Sequence, residues 1–273
     1  MKQDRPVRLG IILLFLATAA LAWILQSPPG AEIPERADGP TNAELMKRAG
    51  LEVESETISY GDGFSGYLAR PKAEASFPGV VTIHEWWGLN EEIRDAARSL
   101  AAEGYIVLAV DLYDGKVAAA PDEARALTSG LDQKRATAHL RAAASELRRR
   151  NAPRIASLGW CFGGGQSLQL ALSGEELDAT VIYYGALTSD ESQLRKIRWP
   201  VLGIFGDQDR VIPVSSVESF DASLDRLGIS NEIHMYPGVG HAFANPSGAN
   251  YAPSETMDAW EKTLSFLKIH LKE

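Results

Sequence analysis

The only cysteine of the chain, Cys161, stands in a Gly-Trp-Cys-Phe-Gly segment between an apolar run and a glycine-rich helix start. Gly-x-Cys-x-Gly at a strand-to-helix turn is the nucleophile-elbow pattern with cysteine in place of serine. In so sharp a turn, side chains at Gly159 and Gly163 would collide with neighbouring backbone. The helix N-terminus favours a thiolate and a developing oxyanion. The pattern predicts a nucleophile at Cys161; the alternative is a buried structural cysteine.

A nucleophile of this kind requires a base and an acid that orients the base. At an elbow of this type the acid and then the histidine follow the nucleophile along the chain. Asp207 and Asp209 follow one apolar run, and His241 lies in a glycine-rich loop after the next. We choose Asp209 over Asp207, and the sequence therefore predicts a Cys-His-Asp centre in which His241 is the base.

The other four histidines fit the role of base less well. His139 and His270 fall in predicted helices, so we expect them at the surface, and His234 lies within a predicted strand. His84 precedes the nucleophile, against the expected order of the three residues.

Glu85 is a further candidate for proton transfer, because it precedes two tryptophans, Trp86 and Trp87. A carboxyl buried beside them would have a raised pKa and could exchange a proton with a thiol. The alternative is an N-cap or a surface acid. His84-Glu85 could also begin a zinc-binding H-E-x-x-H helix, but Gly88 stands where the second histidine is required. We therefore predict no metal and no cofactor.

The elements that position these residues alternate between short apolar runs and helical patterns. Two strand-like runs, 55–60 and 64–70, flank a Gly-Asp-Gly turn and predict an initial β-hairpin. Further strands are predicted at 79–83, 105–110, 154–158, 179–184, 201–205 and 232–236, and helices at 91–103, 121–127, 133–149, after 163, at 215–227 and at 254–270. This alternation predicts an α/β fold, with a mostly parallel central sheet and helices on both faces.

The N-terminal segment has the pattern of an export signal. Basic residues precede an apolar run at 9–25, which gives the charged and hydrophobic regions of such a signal. Ala20 and Ala22 offer a cleavage pattern, whereas Trp23 and its apolar neighbours extend the run to the lower edge of a membrane span. A cleaved signal, a retained anchor and a buried N-terminal helix stay open as interpretations.

Three regions follow: a signal peptide or membrane anchor at 1–27, a linker at 28–50 and one α/β domain at 51–273. We expect an exported protein of the periplasm or cell envelope, in contact with the membrane through its N-terminal segment if that segment is uncleaved. The formal net charge is −9, and the leader itself is positive. The part of the chain after the leader is therefore acidic and repels nucleic-acid phosphates, so no nucleic-acid partner is expected. A monomer is favoured.

From about residue 55 onward, the chain resembles the dienelactone hydrolase (carboxymethylenebutenolidase) family within the α/β-hydrolase superfamily. The resemblance rests on Gly-x-Cys-x-Gly and on five landmarks in the family's order: His84-Glu85-Trp86-Trp87-Gly88-Leu89-Asn90, Asp111-Leu112-Tyr113, Tyr183-Tyr184-Gly185, the Asp209 loop, and Gly-His-Ala-Phe at 240–243.

The resemblance implies the α/β-hydrolase fold and cleavage of an ester or lactone. It also implies that Glu85 contacts Cys161 and helps to generate the thiolate when substrate binds. The family's oxyanion hole corresponds to the backbone N–H groups of Trp86 and Phe162. With Trp87 and Trp160, these aromatic residues would line an apolar mouth, although they could equally be ordinary core aromatics.

One position departs from the family pattern. Asn245 stands where the family has an arginine that anchors the substrate carboxylate. Arg70 and Arg125 are candidate replacements, and each is also compatible with a solvent-facing charge.

The sequence therefore predicts a hydrolase that cleaves a small-molecule ester or lactone through a Cys161 thioester. Acyl transfer or promiscuous esterase activity on envelope esters would use the same site and differ in the acceptor. The non-enzymatic alternative is an envelope binding protein that keeps the fold without turnover.

Overall fold

The computed structural model of the protein describes residues 50–273. The predicted signal or anchor at 1–27 and nearly all of the predicted linker lie outside these residues. Within the described range, none of the helices has the length and apolar character needed to cross a bilayer.

The strands and helices alternate along the chain as the sequence predicts. In chain order the elements are β1 (Val53–Tyr60), β2 (Phe64–Pro71), β3 (Gly79–Ile83), α1 (Glu91–Ala102), β4 (Ile106–Val110), α2 (Pro121–Ser129), α3 (Gln133–Arg149), β5 (Ile155–Trp160), α4 (Phe162–Leu172), β6 (Ala179–Tyr183), α5 (Glu191–Leu194), β7 (Val201–Gly206), α6 (Val214–Leu227), β8 (Asn231–Tyr236) and α7 (Pro253–Lys272). The four-residue helix α5 was not predicted, because so short a segment carries no helical periodicity.

The strands form one eight-stranded sheet in the order β1-β2-β4-β3-β5-β6-β7-β8. The hairpin strands β1 and β2 pair antiparallel, and β2 continues antiparallel to β4. All other neighbours are parallel. Every residue of β3 and of β4 is buried, as expected for parallel strands covered on both faces. The prediction of a mostly parallel α/β sheet is confirmed.

Helices cover the sheet on both sides, so two apolar clusters form. One cluster joins the sheet to α3, α4 and α6 through side chains such as Leu140, Leu168 and Phe220. The other joins it to α1 and α7 through Leu100 and Phe266. This rigid frame fixes the loops at the carboxyl ends of the parallel strands, where ligands bind in open α/β sheets.

The expected surface position of His139 is wrong. The residue is only 1% exposed, its ring stacks on Phe64 at 4.3 Å, and its Nε2 lies 3.1 Å from Ser65 O. His139 falls on the buried stripe of α3, which faces the β1–β2 hairpin. His270 is partly exposed on α7.

Candidate active site

Cys161 occupies the sharp turn between β5 and α4. Its backbone has φ 54° and ψ −116°, in the region that L side chains rarely adopt. The Cys161 N–H donates to Tyr183 O on the neighbouring strand at 3.0 Å, and the Cys161 carbonyl accepts from Gly165 N at 3.1 Å. These contacts hold the strained turn in place.

The glycines on either side of Cys161 interlock with the surrounding backbone. A Cβ on Gly159 would overlap the carbonyl of Gly163, and a Cβ on Gly163 would overlap the carbonyls of Ile83 and His84. The predicted collision at both glycines is therefore confirmed. The same contacts bring the end of β3 against the first turn of α4.

Three loops at the carboxyl edge of the sheet bring the predicted nucleophile, base and acid together. His241 Nε2 lies 3.0 Å from Cys161 Sγ, and His241 Nδ1 lies 2.8 Å from Asp209 Oδ2. The other carboxylate oxygen of Asp209 accepts from Val211 N and Ile212 N. Because an ionised carboxylate only accepts, Nδ1 carries a proton and Nε2 faces the sulfur.

Asp207, the alternative acid, has a different place. Its Oδ1 accepts from Gly238 N at 2.7 Å and so fastens the start of the loop that carries His241. Asn250 Nδ2 donates to the His241 carbonyl at 2.9 Å. The choice of Asp209 over Asp207 therefore agrees with the geometry, since the imidazole contacts Asp209.

The electrostatics of the three residues favour an ion pair. Burial alone would lower the pKa of His241, but the charge on Cys161 and the hydrogen bond to Asp209 outweigh it and raise that pKa to about 10. When Cys161 is ionised, the imidazole therefore keeps its second proton and the two residues form an ion pair. The edge of the Tyr184 ring packs against the imidazole, with centroids 5.4 Å apart.

Glu85 is buried at 7% exposure, which excludes the interpretation as a surface acid. Its Oε2 accepts from Asn245 Nδ2, and its Oε1 accepts from the Tyr184 hydroxyl at 3.4 Å. Burial and the charge of Glu92 raise the pKa of Glu85 to about 7, against the smaller opposing effects of His241 and of the two hydrogen bonds. Glu85 is thus a carboxyl that can change its protonation state near neutral pH.

The N-cap of α1 is Asn90, whose side chain accepts from Ile93 N at 3.2 Å, so Glu85 does not cap that helix. Glu85 contacts Asn245 and Tyr184, whereas the sulfur of Cys161 contacts His241. The contact between Glu85 and Cys161 that the resemblance implies upon substrate binding stays a prediction.

Asn245 and Tyr184 are site residues for which the sequence alone suggested no contact. Asn245 Oδ1 accepts from Ser247 N at 2.9 Å, which fixes the amide so that its nitrogen faces Glu85. Tyr184 follows β6 with φ 34°, a left-handed conformation that turns its side chain toward the site. For Tyr184 the sequence carried a usable signal, its position at the carboxyl end of the predicted strand 179–184.

The aromatic residues expected to line the mouth differ in burial. Trp86 and Trp87 are partly exposed, with ring centroids 4.9 Å apart, and Phe162 packs on Tyr113 at 5.7 Å. Of the two interpretations of Trp160, a place at the mouth or in the core, the structure supports the core. Trp160 is buried in the core cluster beside α7 and packs on Tyr183, because this last residue of β5 directs its side chain into that layer.

The two candidate carboxylate anchors differ in position. The Arg70 side chain is 48% exposed and pairs with Glu54. Because Ala69 pairs with Val107, Arg70 lies beside the amino end of β4, at the opposite edge of the sheet from the site. Arg125 is 19% exposed and pairs with Asp122.

Arg125 also shares α2 with a residue that contacts the aromatic pair of Tyr113 and Phe162. It precedes by one helical turn Thr128, whose hydroxyl lies 3.0 Å from the Tyr113 hydroxyl. Within the part of the chain that the structure describes, the buried Nε of Arg125 has no hydrogen-bond partner. Arg70 therefore faces solvent, whereas Arg125 is only partly exposed.

The mostly parallel sheet, the elbow cysteine and the hydrogen-bonded histidine and aspartate define a protein of the α/β-hydrolase class. The family model of the dienelactone hydrolase family matches residues 64–271, and the chain belongs to that family. It is a hydrolase of the carboxymethylenebutenolidase type.

Relatives cover most of the described chain. A protein named "Putative carboxymethylenebutenolidase" from Escherichia coli (strain K12) is 32% identical over 227 residues, which are 77% of this chain and 84% of that protein. One with the same name from Saccharolobus solfataricus is 32% identical and covers 79% of this chain and 98% of its own. The crystal structure titled "Putative Dienelactone Hydrolase" from Klebsiella pneumoniae superposes with a TM-score of 0.69 at 30% identity, over 78% of this chain and 98% of that one.

Proposed function

We propose that the protein hydrolyses a carboxylic ester or lactone through attack by Cys161 and a thioester intermediate. The observation that carries the proposal is the continuous hydrogen-bonded chain from Cys161 Sγ through His241 to Asp209, at a strained elbow in front of a helix. Nucleophile, base and orienting acid in this geometry are sufficient for acyl transfer.

In the first half of the proposed reaction, the Cys161 thiolate attacks the substrate carbonyl. The oxyanion is held by the backbone N–H groups of Trp86 and Phe162. The tetrahedral adduct collapses, the C–O bond to the leaving group breaks, and the His241 imidazolium gives its proton to the departing alkoxide. The products are a thioester on Cys161 and an alcohol, which stays attached to the acyl chain when the substrate is a lactone.

In the second half, neutral His241 takes a proton from a water molecule that attacks the thioester. The C–S bond breaks, the acid leaves, and the thiolate–imidazolium pair is restored. Asp209 keeps the imidazole in one orientation throughout. When Cys161 enters the cycle as a neutral thiol, outside the ion pair, Glu85 is suited to take its proton once substrate brings the two groups together, because burial raises the pKa of Glu85 to about 7.

The test is a turnover assay of the segment from Thr41 onward on lactones and short acyl esters, with and without a free carboxylate. We expect acid product from at least one class and rapid labelling of Cys161 by iodoacetamide. Acyl transfer would instead give a new ester when an alcohol acceptor is added. A binding protein would give neither product nor a reactive thiol, and that result would overturn the proposal.

For acidic substrates, we propose that Arg125 binds the carboxylate in place of the arginine absent at position 245. Arg125 stands one helical turn before Thr128, which contacts Tyr113, and its buried Nε has no hydrogen-bond partner among the described residues. Arg125→Ala should therefore raise KM for an acidic lactone about tenfold, which corresponds to ~1.4 kcal/mol, and leave neutral esters unchanged.

Arg70→Ala is the matched control, because Arg70 pairs with Glu54 away from the site. This control substitution should leave KM unchanged for both acidic lactones and neutral esters. Equal KM values for the acidic lactone in wild type and Arg125→Ala would refute the assignment of Arg125. The Asn245 position would then leave the enzyme without a carboxylate anchor, and neutral esters would be preferred.

We also propose that residues 1–27 export the protein to the periplasm or cell envelope, on the basis of the basic residues and apolar run of that segment. A reporter that is active only outside the cytoplasm, fused after Glu273, should be active. N-terminal sequencing then separates a cleaved signal, with a new start near Trp23, from an anchor that begins at Met1. A reporter active only when placed in the cytoplasm would contradict the proposal.

A further inference from the structure

His84 is a fully buried histidine next to Glu85 that the proposed reaction does not use. Its Nδ1 lies 2.5 Å from the Glu85 carbonyl oxygen, and its Nε2 accepts from Leu112 N at 3.3 Å. A carbonyl oxygen only accepts and a backbone N–H only donates, so the two partners fix the tautomer with its proton on Nδ1. Burial lowers the pKa of His84 to about 4, and the ring is neutral at physiological pH.

The hydrogen bond from His84 determines the direction of the following amide group. In a trans peptide the C=O and the N–H point to opposite sides of the chain, and the described residues contain no cis peptide. With the Glu85 carbonyl held by His84 Nδ1, the N–H of Trp86 must point to the opposite side. Gly88 N donates to the same carbonyl at 3.3 Å and closes the turn.

The imidazole also contacts the residue that carries the second oxyanion donor. Its ring stacks on Phe162 with centroids 5.8 Å apart and 23° between planes, and packs on Tyr113 at 4.7 Å. Gly163 lies directly against the Ile83 and His84 carbonyls. His84 therefore joins the loop after β3 to the first turn of α4.

We infer that His84 is a positioning residue of the oxyanion hole, which locks the Glu85–Trp86 peptide so that the Trp86 N–H faces the substrate oxygen beside the Phe162 N–H. The inference rests on the proposed function, because it assigns a role within that reaction. It gives His84 a role through hydrogen bonding and orientation, with no proton transfer.

The test compares His84→Phe with His84→Asn in the full chain. Phenylalanine keeps a ring against Phe162 and Tyr113 but cannot donate to Glu85 O, whereas the asparagine amide N–H can occupy the place of Nδ1–H. Each variant is assayed on an oxygen ester, on the thionoester with sulfur as carbonyl atom, and for labelling of Cys161 by iodoacetamide. Sulfur is a weak hydrogen-bond acceptor, and alkylation forms no oxyanion. The thionoester rate and the alkylation rate therefore depend little on the oxyanion hole.

We expect His84→Phe to lower kcat for the oxygen ester on the order of 100-fold, the effect of losing one oxyanion donor. The thionoester rate and the alkylation rate should stay within about threefold of wild type, and His84→Asn should restore most of the oxygen-ester rate. A parallel loss of all three rates, or no loss in His84→Phe, would overturn the inference.

If His84→Phe does not fold, His84→Leu takes its place, because leucine also cannot donate to Glu85 O. An oxygen-to-thiono rate ratio about tenfold or more below that of wild type supports the inference, and a ratio near that of wild type overturns it. A wild-type chain without turnover would overturn the proposed function and this role with it. Wild-type turnover with an unaffected His84→Phe would overturn the role of His84 alone.

Discussion

Cys161→Ala should abolish ester hydrolysis and leave the free energy of unfolding nearly unchanged. The substitution removes the attacking atom, so kcat/KM should fall by about 10⁴-fold or more. Cys161 is partly exposed, and the loss of one sulfur leaves little cavity. Alanine also keeps the Cβ at φ 54°, so the backbone strain of the turn is retained. Steady-state kinetics and thermal unfolding measure the two effects.

Cys161→Ser and Cys161→Gly give informative comparisons. Serine keeps an attacking atom near His241, but a hydroxyl is harder to deprotonate than a thiol, so a large loss with residual turnover is expected. Glycine is inactive and should raise the melting temperature relative to alanine, because glycine adopts the positive φ without strain. Turnover by Cys161→Ala at the wild-type rate would exclude the cysteine mechanism.

The three residues of the Cys-His-Asp centre could be predicted because each follows an apolar run that forms a buried strand. Cys161, Asp209 and His241 stand after β5, β7 and β8, whose carboxyl ends lie along the same edge of the sheet. Chain order and strand position therefore suffice to bring these side chains together.

The partners of Glu85 could not be predicted in the same way. The contact with Asn245 spans 160 residues, and it depends on the amide orientation that Ser247 N imposes. No periodicity or motif encodes the direction of a side chain in an irregular loop. The tautomer of His84 likewise depends on Leu112 N, which arrives from a different loop.

The position of His139 could have been derived from helical spacing. In α3 the buried residues Ala136, Leu140 and Ala143 recur at helical intervals, and His139 falls on the same stripe. The assumption that a histidine in a helix faces solvent led to the wrong prediction.

His241→Gln should reduce hydrolysis by about 10³-fold, since both halves of the proposed reaction require a proton transfer at this position. Glutamine has similar length but cannot accept a proton at neutral pH. His270→Gln is the matched control, because His270 packs against Phe266 on α7 and should leave kcat unchanged.

The pH dependence of Cys161 alkylation distinguishes an ion pair from a general base that acts on a neutral thiol. Burial by itself lowers the pKa of His241, but the charge on Cys161 and the contact with Asp209 raise this pKa to about 10. A raised histidine pKa means that the imidazolium persists below pH 10 and is lost above it. An ion pair in the wild type would therefore keep the cation beside the thiolate throughout the neutral range, and the alkylation rate would then change little between about pH 6 and 9.

In His241→Gln the cation is absent at every pH, so alkylation should follow the titration of an ordinary thiol, with a reference pKa of about 8.5. The rate should be far below wild type at pH 6.5 and rise about tenfold per pH unit until it levels off near pH 9. If the variant instead kept the flat profile of the wild type, the thiolate would owe its stability to the helix N-terminus, and His241 would serve in proton transfer alone.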